Sequence, residues 1–434
     1  MDTIYASANQ NVSSIKIIRI SGPEARKITK IFDFKLPKPK KYSVTKLTYK
    51  NRLIDKAVVF WLPGPNTITG EDIFELHIHG SIIIEDLVYQ ALSRQKKFRI
   101  ANKGEFTKRG FLNGKIDLSQ AEAINDIINA ETEKQLEIAN FQIDGNLRGK
   151  INLWRKQILD LSTKIELAID FSDEEIPLNI ENEFLKNLDY LIKDIKKSIN
   201  NSAFYRSIRS GFLIVIVGKP NVGKSTLMNY IAKKDVSIVT EQPGTTRDII
   251  EQKINLNGYP VYFYDTAGVR KTSALIEKEG IKKTKKMIKN SDIILNLSVD
   301  NDFELFSDNY DKKIINVRSK SDINTKPFTN EDTSISIKNK KEMEKLLKKI
   351  SDNISSLEPR ESSFLVNKRQ VDSAKNALKA LKRIKNISIF LETELIAEEL
   401  RLSSSALSSI TNPIDIEEIF DEIFSNFCIG KYLL

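Results

Sequence analysis

The six-residue run Phe212–Val217 (FLIVIV) leads directly into Gly218-Lys219-Pro220-Asn221-Val222-Gly223-Lys224-Ser225, and nothing else in the chain constrains its fold as much. A short, β-branched apolar run reads as a buried strand, and Thr226-Leu227-Met228-Asn229-Tyr230-Ile231-Ala232 after it has helical spacing. Strand, Gly-x-x-x-x-Gly-Lys-Ser loop and helix start form the context of a P-loop. Gly218 and Gly223 let backbone N–H groups turn inward around a phosphate chain. Lys224 reaches the terminal phosphates, and the Ser225 hydroxyl is a Mg²⁺ ligand. Asn221, Val222, Gly223, Lys224, Ser225 and Thr226 are therefore expected to bind a nucleoside triphosphate.

Downstream motifs narrow the nucleotide. Val239-Thr240-Glu241-Gln242-Pro243-Gly244-Thr245-Thr246-Arg247-Asp248 reads as a first switch segment. Its Thr246 is the second Mg²⁺ ligand, closing on the metal while the γ-phosphate is present. Val261–Tyr264 reads as a strand delivering Asp265-Thr266-Ala267-Gly268. Asp265 supports the Mg²⁺ shell, and Gly268 offers its N–H to the γ-phosphate. Three motifs in this order, each at a strand end, indicate a switch GTPase with a Ras-like α/β domain. The base-reading motif is altered: Ser319-Lys320-Ser321-Asp322 stands where such GTPases carry Asn-Lys-x-Asp. Asp322 accepts two hydrogen bonds from guanine that adenine does not supply, and Lys320 lies along the base. Ser319 offers one hydroxyl in place of an amide, so weaker guanine affinity or selectivity is expected. Ser336-Ile337-Lys338 fits the last base contact.

Val269 follows Asp-Thr-Ala-Gly, where a Ras-like pattern has a water-orienting glutamine. A valine orients no water, so the catalytic group comes from elsewhere. Asn221 offers a side-chain carbonyl near the phosphates. With backbone carbonyls of the Thr240–Thr245 loop (Thr240, Gln242, Thr245) it would hold a monovalent cation, K⁺, in place of an inserted arginine. Glu277 is the candidate base or water orienter. Taken alone, Asn221 also reads as a loop cap and Glu277 as a solvated helix residue.

The 434 residues suffice for two or three domains, each with its own core. A single cysteine, Cys428, excludes an intrachain disulfide and points to a reducing compartment. The two histidines, His77 and His79, are read as structural groups, one on each side of a strand. The start has no basic region and no long apolar stretch, and no segment approaches the roughly 20 apolar residues that span a bilayer. A cytoplasmic protein without a membrane partner is expected. The net charge of +10 is uneven: residues 1–116 carry 21 Lys+Arg against 10 Asp+Glu, or +11, and the remainder carries −1. A basic first domain suits an anionic ligand or an RNA backbone, although Lys35–Lys41, with its prolines, reads as a solvated loop.

Short alternating runs such as Ile15–Ile20 and Ala57–Leu62 make residues 1–116 an α+β domain. At Asp117 the texture becomes helical, opened by a Ser119-x-x-Glu122 capping box. Helical spacing continues over Ile151–Phe171 and Glu181–Phe204, then returns over Lys368–Ile389, Glu392–Leu407 and Ile416–Phe424. The expected organisation is an α+β domain at 1–116, an all-α helical domain in two parts at 117–208 and 363–434, and an inserted α/β P-loop domain at 209–362. The helices on either side of the insertion are expected to pack as one bundle, since a lone amphipathic helix buries no face.

Dispersed motifs extend the pattern to the whole chain. They are Arg19-Ile20-Ser21-Gly22, Thr69-Gly70-Glu71-Asp72, Gly104-Glu105-Phe106-Thr107-Lys108-Arg109, Phe111-Leu112-Asn113-Gly114-Lys115, Gln120-Ala121-Glu122-Ala123, Ala397-Glu398-Glu399-Leu400-Arg401 and Phe427-Cys428-Ile429-Gly430-Lys431. With the GTPase motifs, they make the chain resemble the tRNA-modifying GTPase family MnmE (TrmE) from end to end. The resemblance implies a homodimer that works with an FAD-dependent partner, MnmG, as an α2β2 heterotetramer. Together these install an aminomethyl-type group at C5 of the wobble uridine of tRNA. The implied one-carbon donor is a reduced folate, 5-formyl- or methylene-tetrahydrofolate, bound by the first domain. By motif matching, Arg19, Glu75, Lys115 and Lys431 fall at folate contacts. Cys428 lies in the tail motif near that site as a candidate catalytic residue. The resemblance also implies activation by potassium and places Glu277 at the catalytic glutamate position. The chain departs from the pattern at Asn9–Ser14, Gly80-Ser81, Lys103, Ser319 and the Tyr432–Leu434 extension. The rival reading is a ribosome-assembly switch GTPase, which explains the central motifs and the charge but not Arg19, Glu75 or the Cys428 tail.

Overall fold

Alternating apolar residues in the first 116 positions build a six-stranded sheet in the computed structural model. The structure describes residues 2–9, 13–170, 178–233, 251–265, 285–300, 302–303, 312–323, 333–359, 364–387 and 392–413. These fall into two compact units, one drawn from residues 1–128, 141–159 and 404–434, the other from 129–140 and 160–403. No helix among the described residues is long and apolar enough to cross a membrane.

In the first unit the strands are β1 (Thr3–Ser7), β2 (Ile15–Ser21), β3 (Tyr42–Tyr49), β4 (Arg52–Leu62), β5 (Ile73–His79) and β6 (Phe98–Ile100). They lie in the order β3-β4-β5-β2-β1-β6, and only the β1–β6 pair is parallel. One face, with Ile18, Ile20, Val59, Phe74 and Leu76, packs with Val88, Ala91 and Leu92 of helix α2 (Ile82–Ser93); the short helix α1 (Ile28–Ile31) adds Ile28 to the same core. The two-residue repeat of a strand puts Glu75, His77 and His79 together on the other face. The histidines therefore share one side rather than flanking the strand. His77 Nε2 lies 3.4 Å from Glu75 Oε2, and His79 Nδ1 lies 2.8 Å from Asp55 Oδ1.

Helices α3 (Glu105–Leu112), α4 (Leu118–Ile128), α5 (Glu133–Ile143), α6 (Asn146–Asp170) and α7 (Leu178–Ser210) follow. The capping box of α4 starts two residues earlier than its sequence suggests. Asp117 Oδ1 accepts from Gln120 N at 2.9 Å, and Gln120 Oε1 accepts from Asp117 N at 3.0 Å. Asp117 wins because its carboxylate takes the Ser119 hydroxyl as well, at 2.6 Å, leaving Ser119 inside the helix.

In the second unit β7 (Phe212–Val217), β8 (Glu251–Leu256), β9 (Tyr259–Asp265), β10 (Ile293–Ser298), β11 (Lys313–Ser319) and β12 (Thr333–Ile335) form a second sheet. Its order is β12-β11-β10-β7-β9-β8, parallel except for the edge strand β8. The central strand β7 is apolar throughout because both its faces are covered. Ile214 and Ile216 join a core with Leu227 and Met228 of α8 (Lys224–Lys233) and with Met343 and Leu346 of α9 (Lys340–Ser356); Val215 and Val217 face Ile288 and Ile294 on the other side. Beyond this module, α10 (Lys368–Ile384) packs along α7, and Lys385 pairs with Asp189 at 2.8 Å. Helices from both sides of the insertion thus lie together. The last described helix is α11 (Thr393–Thr411), whose Glu399 takes Arg383 at 2.6 Å. The helix expected over Ile416–Phe424 lies outside the described residues.

Candidate functional site

Parallel strands end at one edge of their sheet, and α/β proteins place ligands outside the carboxyl ends of such strands. The loops that follow β7, β9, β11 and β12 carry the candidate nucleotide residues. At the end of β7, Gly218 has φ of 144°, and a Cβ there would stand 2.3 Å from the Leu297 carbonyl oxygen of β10. No side chain fits, so the loop leaves the strand only through glycine. Asn221 and Gly223 also have positive φ, 63° and 99°. Lys224 is buried, and its ammonium donates to the carbonyls of Gly218 at 2.7 Å and Lys219 at 2.9 Å. Its charge is held across the loop.

Ser225, in the first turn of α8, donates to Asp265 Oδ2 at 2.9 Å, and Asp265 is fully buried at the end of β9. A hydroxyl and a carboxylate converging beside the loop are oxygen donors of the kind Mg²⁺ takes, so these residues fit that ion. Ser319, buried at the end of β11, donates to the Val222 carbonyl at 2.5 Å, with the Ser298 carbonyl at 3.4 Å. The serine thus ties the base loop to the P-loop. Asp322 Oδ1 accepts from Ser336 Oγ at 3.0 Å, and its Oδ2 lies 3.0 Å from Lys338 Nζ. The Lys338 and Ser336 hydrogen bonds hold the Asp322 carboxyl below its ordinary value. Lys320 turns the loop with φ of 57°, and Ile337 is packed against the core. The structure therefore brings together Asn221–Thr226, Asp265, Ser319–Asp322 and Ser336–Lys338. Thr240, Gln242, Thr245, Thr246, Thr266, Ala267, Gly268 and Glu277 lie outside the described residues.

The first unit holds the other candidates. Arg19 on β2 and Glu75 on β5 are register partners. The Arg19 Nε donates to Glu75 Oε1 at 2.8 Å and Nη2 lies 2.7 Å from the same oxygen. Both residues are buried, and Arg19 Nη1 has no partner among the described residues. Burial pushes the Glu75 carboxyl up, but the His77 hydrogen bond and the Arg19 charge outweigh it, so its pKa lies below the ordinary value. An ionised carboxylate beside a guanidinium with an unused, buried N–H fits a ligand that offers both donors and acceptors, as a pterin does. Lys115 lies against the Thr69–Glu71 turn, where a Cβ on Gly70 would be 3.1 Å from Lys115 Cε. That turn is joined to β2, since Ser21 Oγ lies 2.8 Å from Thr69 Oγ1 and 2.7 Å from Glu71 Oε2. Lys431 and Cys428 lie outside the described residues.

Five residues with no role assigned from sequence, Asp2, Glu71, Arg99, Glu105 and Arg109, complete this cluster. Arg109 donates to Glu71 Oε1 at 3.0 Å, Asp2 Oδ1 at 2.7 Å and Glu105 Oε1 at 3.1 Å. Arg99 adds a bond to Glu105 Oε2 at 2.8 Å. The motif words containing Glu71, Glu105 and Arg109 were the available signal, but a word does not say which charges meet.

A P-loop on a central parallel strand, a hydroxyl–carboxylate pair beside it and an aspartate-bearing base loop are the marks of a P-loop GTPase. The profile of the MnmE helical domain matches residues 118–428, and that of the GTP-binding protein TrmE N-terminus matches residues 3–115. The tRNA modification GTPase MnmE of Bradyrhizobium sp. (strain ORS 278) is 37% identical over 442 residues, covering 99% of each chain. The protein of the same name from Rickettsia rickettsii is 35% identical over 454 residues, covering 99% of this chain and all of its own. Among solved structures, the FeoB G-domain from Methanococcus jannaschii covers 33% of this chain and 98% of its own, at 20% identity and a TM-score of 0.25. The chain belongs to the MnmE family of tRNA modification GTPases.

Proposed function

We propose that the chain is a potassium-activated, cytoplasmic GTPase that works as a homodimer with the FAD-dependent protein MnmG on the wobble uridine of tRNA. Its first domain holds the reduced folate that supplies the one-carbon unit. The observation that carries the nucleotide part is the convergence of Lys224, Ser225–Asp265 and Ser336–Asp322 at one edge of the second sheet. In this reading Lys224 and the loop N–H groups take the β- and γ-phosphates, and Asp322 accepts the guanine N1–H and amine. Water attacks the γ-phosphorus, the bond to the β–γ bridging oxygen breaks, and GDP and phosphate leave. Glu277 orients that water. Mg²⁺, when bound, neutralises phosphate charge, and Ser225 and Thr246 would ligate it. K⁺, when bound, adds positive charge beside the phosphates, and Asn221 with the Thr240, Gln242 and Thr245 carbonyls would hold it. Folate would meet Arg19, Glu75 and Lys115, with Lys431 and Cys428 from the tail.

The test is GTP turnover in potassium against sodium for the wild type, Asn221→Ala and Glu277→Ala. A steep rise in potassium that is lost in both variants supports the reading, and equal rates in the two salts overturn its potassium step. Folate binding to the wild type but not to Arg19→Ala tests the first-domain site separately.

A further inference from the structure

Both loops assigned to the guanine ring are gripped by one side chain. Glu342 lies in the first turn of α9, directly after β12 and the Ser336–Lys338 loop. Its Oε2 accepts from the Ser336 backbone N–H at 2.6 Å and from the Ser321 hydroxyl at 2.8 Å. Its Oε1 accepts from Asn339 Nδ2 at 2.8 Å. Ser336 in turn donates to Asp322 Oδ1 at 3.0 Å. One carboxylate therefore holds Ser321, the neighbour of Asp322 in sequence, and Ser336, its hydrogen-bond partner.

Helix capping alone does not account for this. Asn339 is the N-cap of α9, its side chain accepting from Lys341 N at 3.2 Å. A glutamate three residues on, at N3, ordinarily returns a bond to the N-cap's own N–H. Here that N–H donates instead to the Ser336 carbonyl at 2.9 Å. The Glu342 carboxylate reaches past the cap, back to Ser336 and across to the loop after β11. Its charge is favoured where it stands, at a helix N-terminus. The arrangement also meets a need created elsewhere in the loop. The Ser319 hydroxyl is committed to the P-loop carbonyl of Val222, so the far end of its loop depends on other tethers. The Ser321 N–H to Ile335 carbonyl bond, 3.1 Å, is one, and Glu342 is another.

We propose that Glu342 is a positioning residue of the guanine site, fixing Asp322 through Ser336 and Ser321 and thereby setting base selectivity. The proposal rests on Asp322 facing the base. Equilibrium binding of GDP and of inosine diphosphate to the full chain in Mg²⁺ buffer tests it. Inosine lacks the exocyclic amine, so it offers Asp322 one hydrogen bond where guanine offers two. Glu342→Ala is expected to weaken GDP by about tenfold and the inosine nucleotide by about threefold, the scale of one hydrogen bond to a charged group. The preference for GDP therefore shrinks. Glu342→Gln keeps the helix and the side-chain volume and shows the same change to a lesser degree, which carries the test if the alanine variant does not fold. In an Asp322→Ala background, Glu342→Ala changes GDP binding by less than about twofold, because its route to the base is gone. Equal losses for the two nucleotides, or an undiminished effect without Asp322, would make Glu342 a plain helix cap and overturn the proposal. A preference for GDP that survives Asp322→Ala alone would overturn the guanine assignment itself.

Discussion

The loop at Gly218–Ser225 is made of backbone, whereas the cluster around Arg19 and Glu75 is made of side chains. In the loop, positive φ at Gly218, Asn221 and Gly223 turns the chain, and the Lys224 ammonium is held by main-chain carbonyls. In the cluster, charges from Asp2, Arg19, Glu71, Glu75, Arg99, Glu105 and Arg109 meet across a sheet and a helix. A backbone site needs a few consecutive residues of fixed type. A side-chain site draws on distant positions and depends on every ion keeping its partner, because an uncompensated buried charge is costly.

The largest consequence falls on the side-chain site. Arg19→Ala leaves Glu75 buried without its guanidinium, which costs about 3–5 kcal/mol for a broken buried pair. Both tryptophans of the chain, Trp61 and Trp154, lie in the first unit, so their fluorescence in urea follows the loss of structure around them. The Arg19→Ala midpoint should fall sharply while GTP turnover per folded molecule stays within about twofold, as expected of sites with no shared partners. An unmoved midpoint would break the comparison. In the loop, Gly218→Ala forces a Cβ against the Leu297 carbonyl at a φ that side chains avoid. Strain of about 1–3 kcal/mol before any clash should weaken GTP binding by about 100-fold, with the tryptophan transition unchanged. Retained binding would mean that the loop tolerates a bend the structure denies it.

The same contrast decides what could be read from sequence. Gly218–Ser225 announces strand, turn and helix in one stretch because each residue type is required by its own backbone position. The strands over 212–217 and 261–264 follow for the same local reason, and the structure has both within β7 and β9. The cluster was not legible in this way. Arg19 and Glu75 were reached only through resemblance, and the Arg109–Asp2–Glu105 meeting had no local mark. His77 and His79, expected on opposite sides of their strand, share one because the side-chain repeat is two residues. The capping box of α4 was placed at Ser119 because Asp117 and Gln120 form an equally valid pattern that only their reciprocal bonds reveal.

Acid should separate the two units by sign. The pKa of Glu75 lies below its ordinary 4.5 because the His77 and Arg19 contacts outweigh burial, and that of Glu105 does so because the Arg99 and Asn102 bonds outweigh it. Groups whose folded pKa is depressed contribute stability above the unfolded value and lose it as pH falls through the folded one. The tryptophan-monitored midpoint should therefore fall as pH drops below about 4.5, and Glu75→Gln should flatten that slope. In the second unit, burial pushes the Asp292 carboxyl up, so its contribution is present at low pH and lost as pH rises through the folded value. Asp292→Asn should leave that unit at least as stable at neutral pH, followed by circular dichroism, since its one amide oxygen keeps the Leu213 N–H and its NH₂ donates to the Ser207 hydroxyl, which turns from donor to acceptor. A tryptophan midpoint independent of pH between 3 and 6 would show that the cluster's charges are not coupled to folding.

The smallest effect tests whether the altered base motif is a loss at all. An asparagine replaced by serine suggests a missing base contact, yet Ser319 Oγ donates to the Val222 carbonyl at 2.5 Å and is buried at the strand end. Its partner is the P-loop, so its role is to hold two loops in register. Ser319→Ala removes one neutral hydrogen bond worth about 1 kcal/mol, a loss of about fivefold in nucleotide affinity. Because the bond joins the serine to a main-chain carbonyl of the P-loop, GDP and inosine diphosphate should weaken by the same factor. Glu342→Ala, acting on Asp322, should change their ratio instead. A ratio that shifts in Ser319→Ala would place the serine hydroxyl at the base and return the altered motif to a defect in guanine reading. An unchanged ratio would make it a backbone tether, of one kind with the glycine loop it holds.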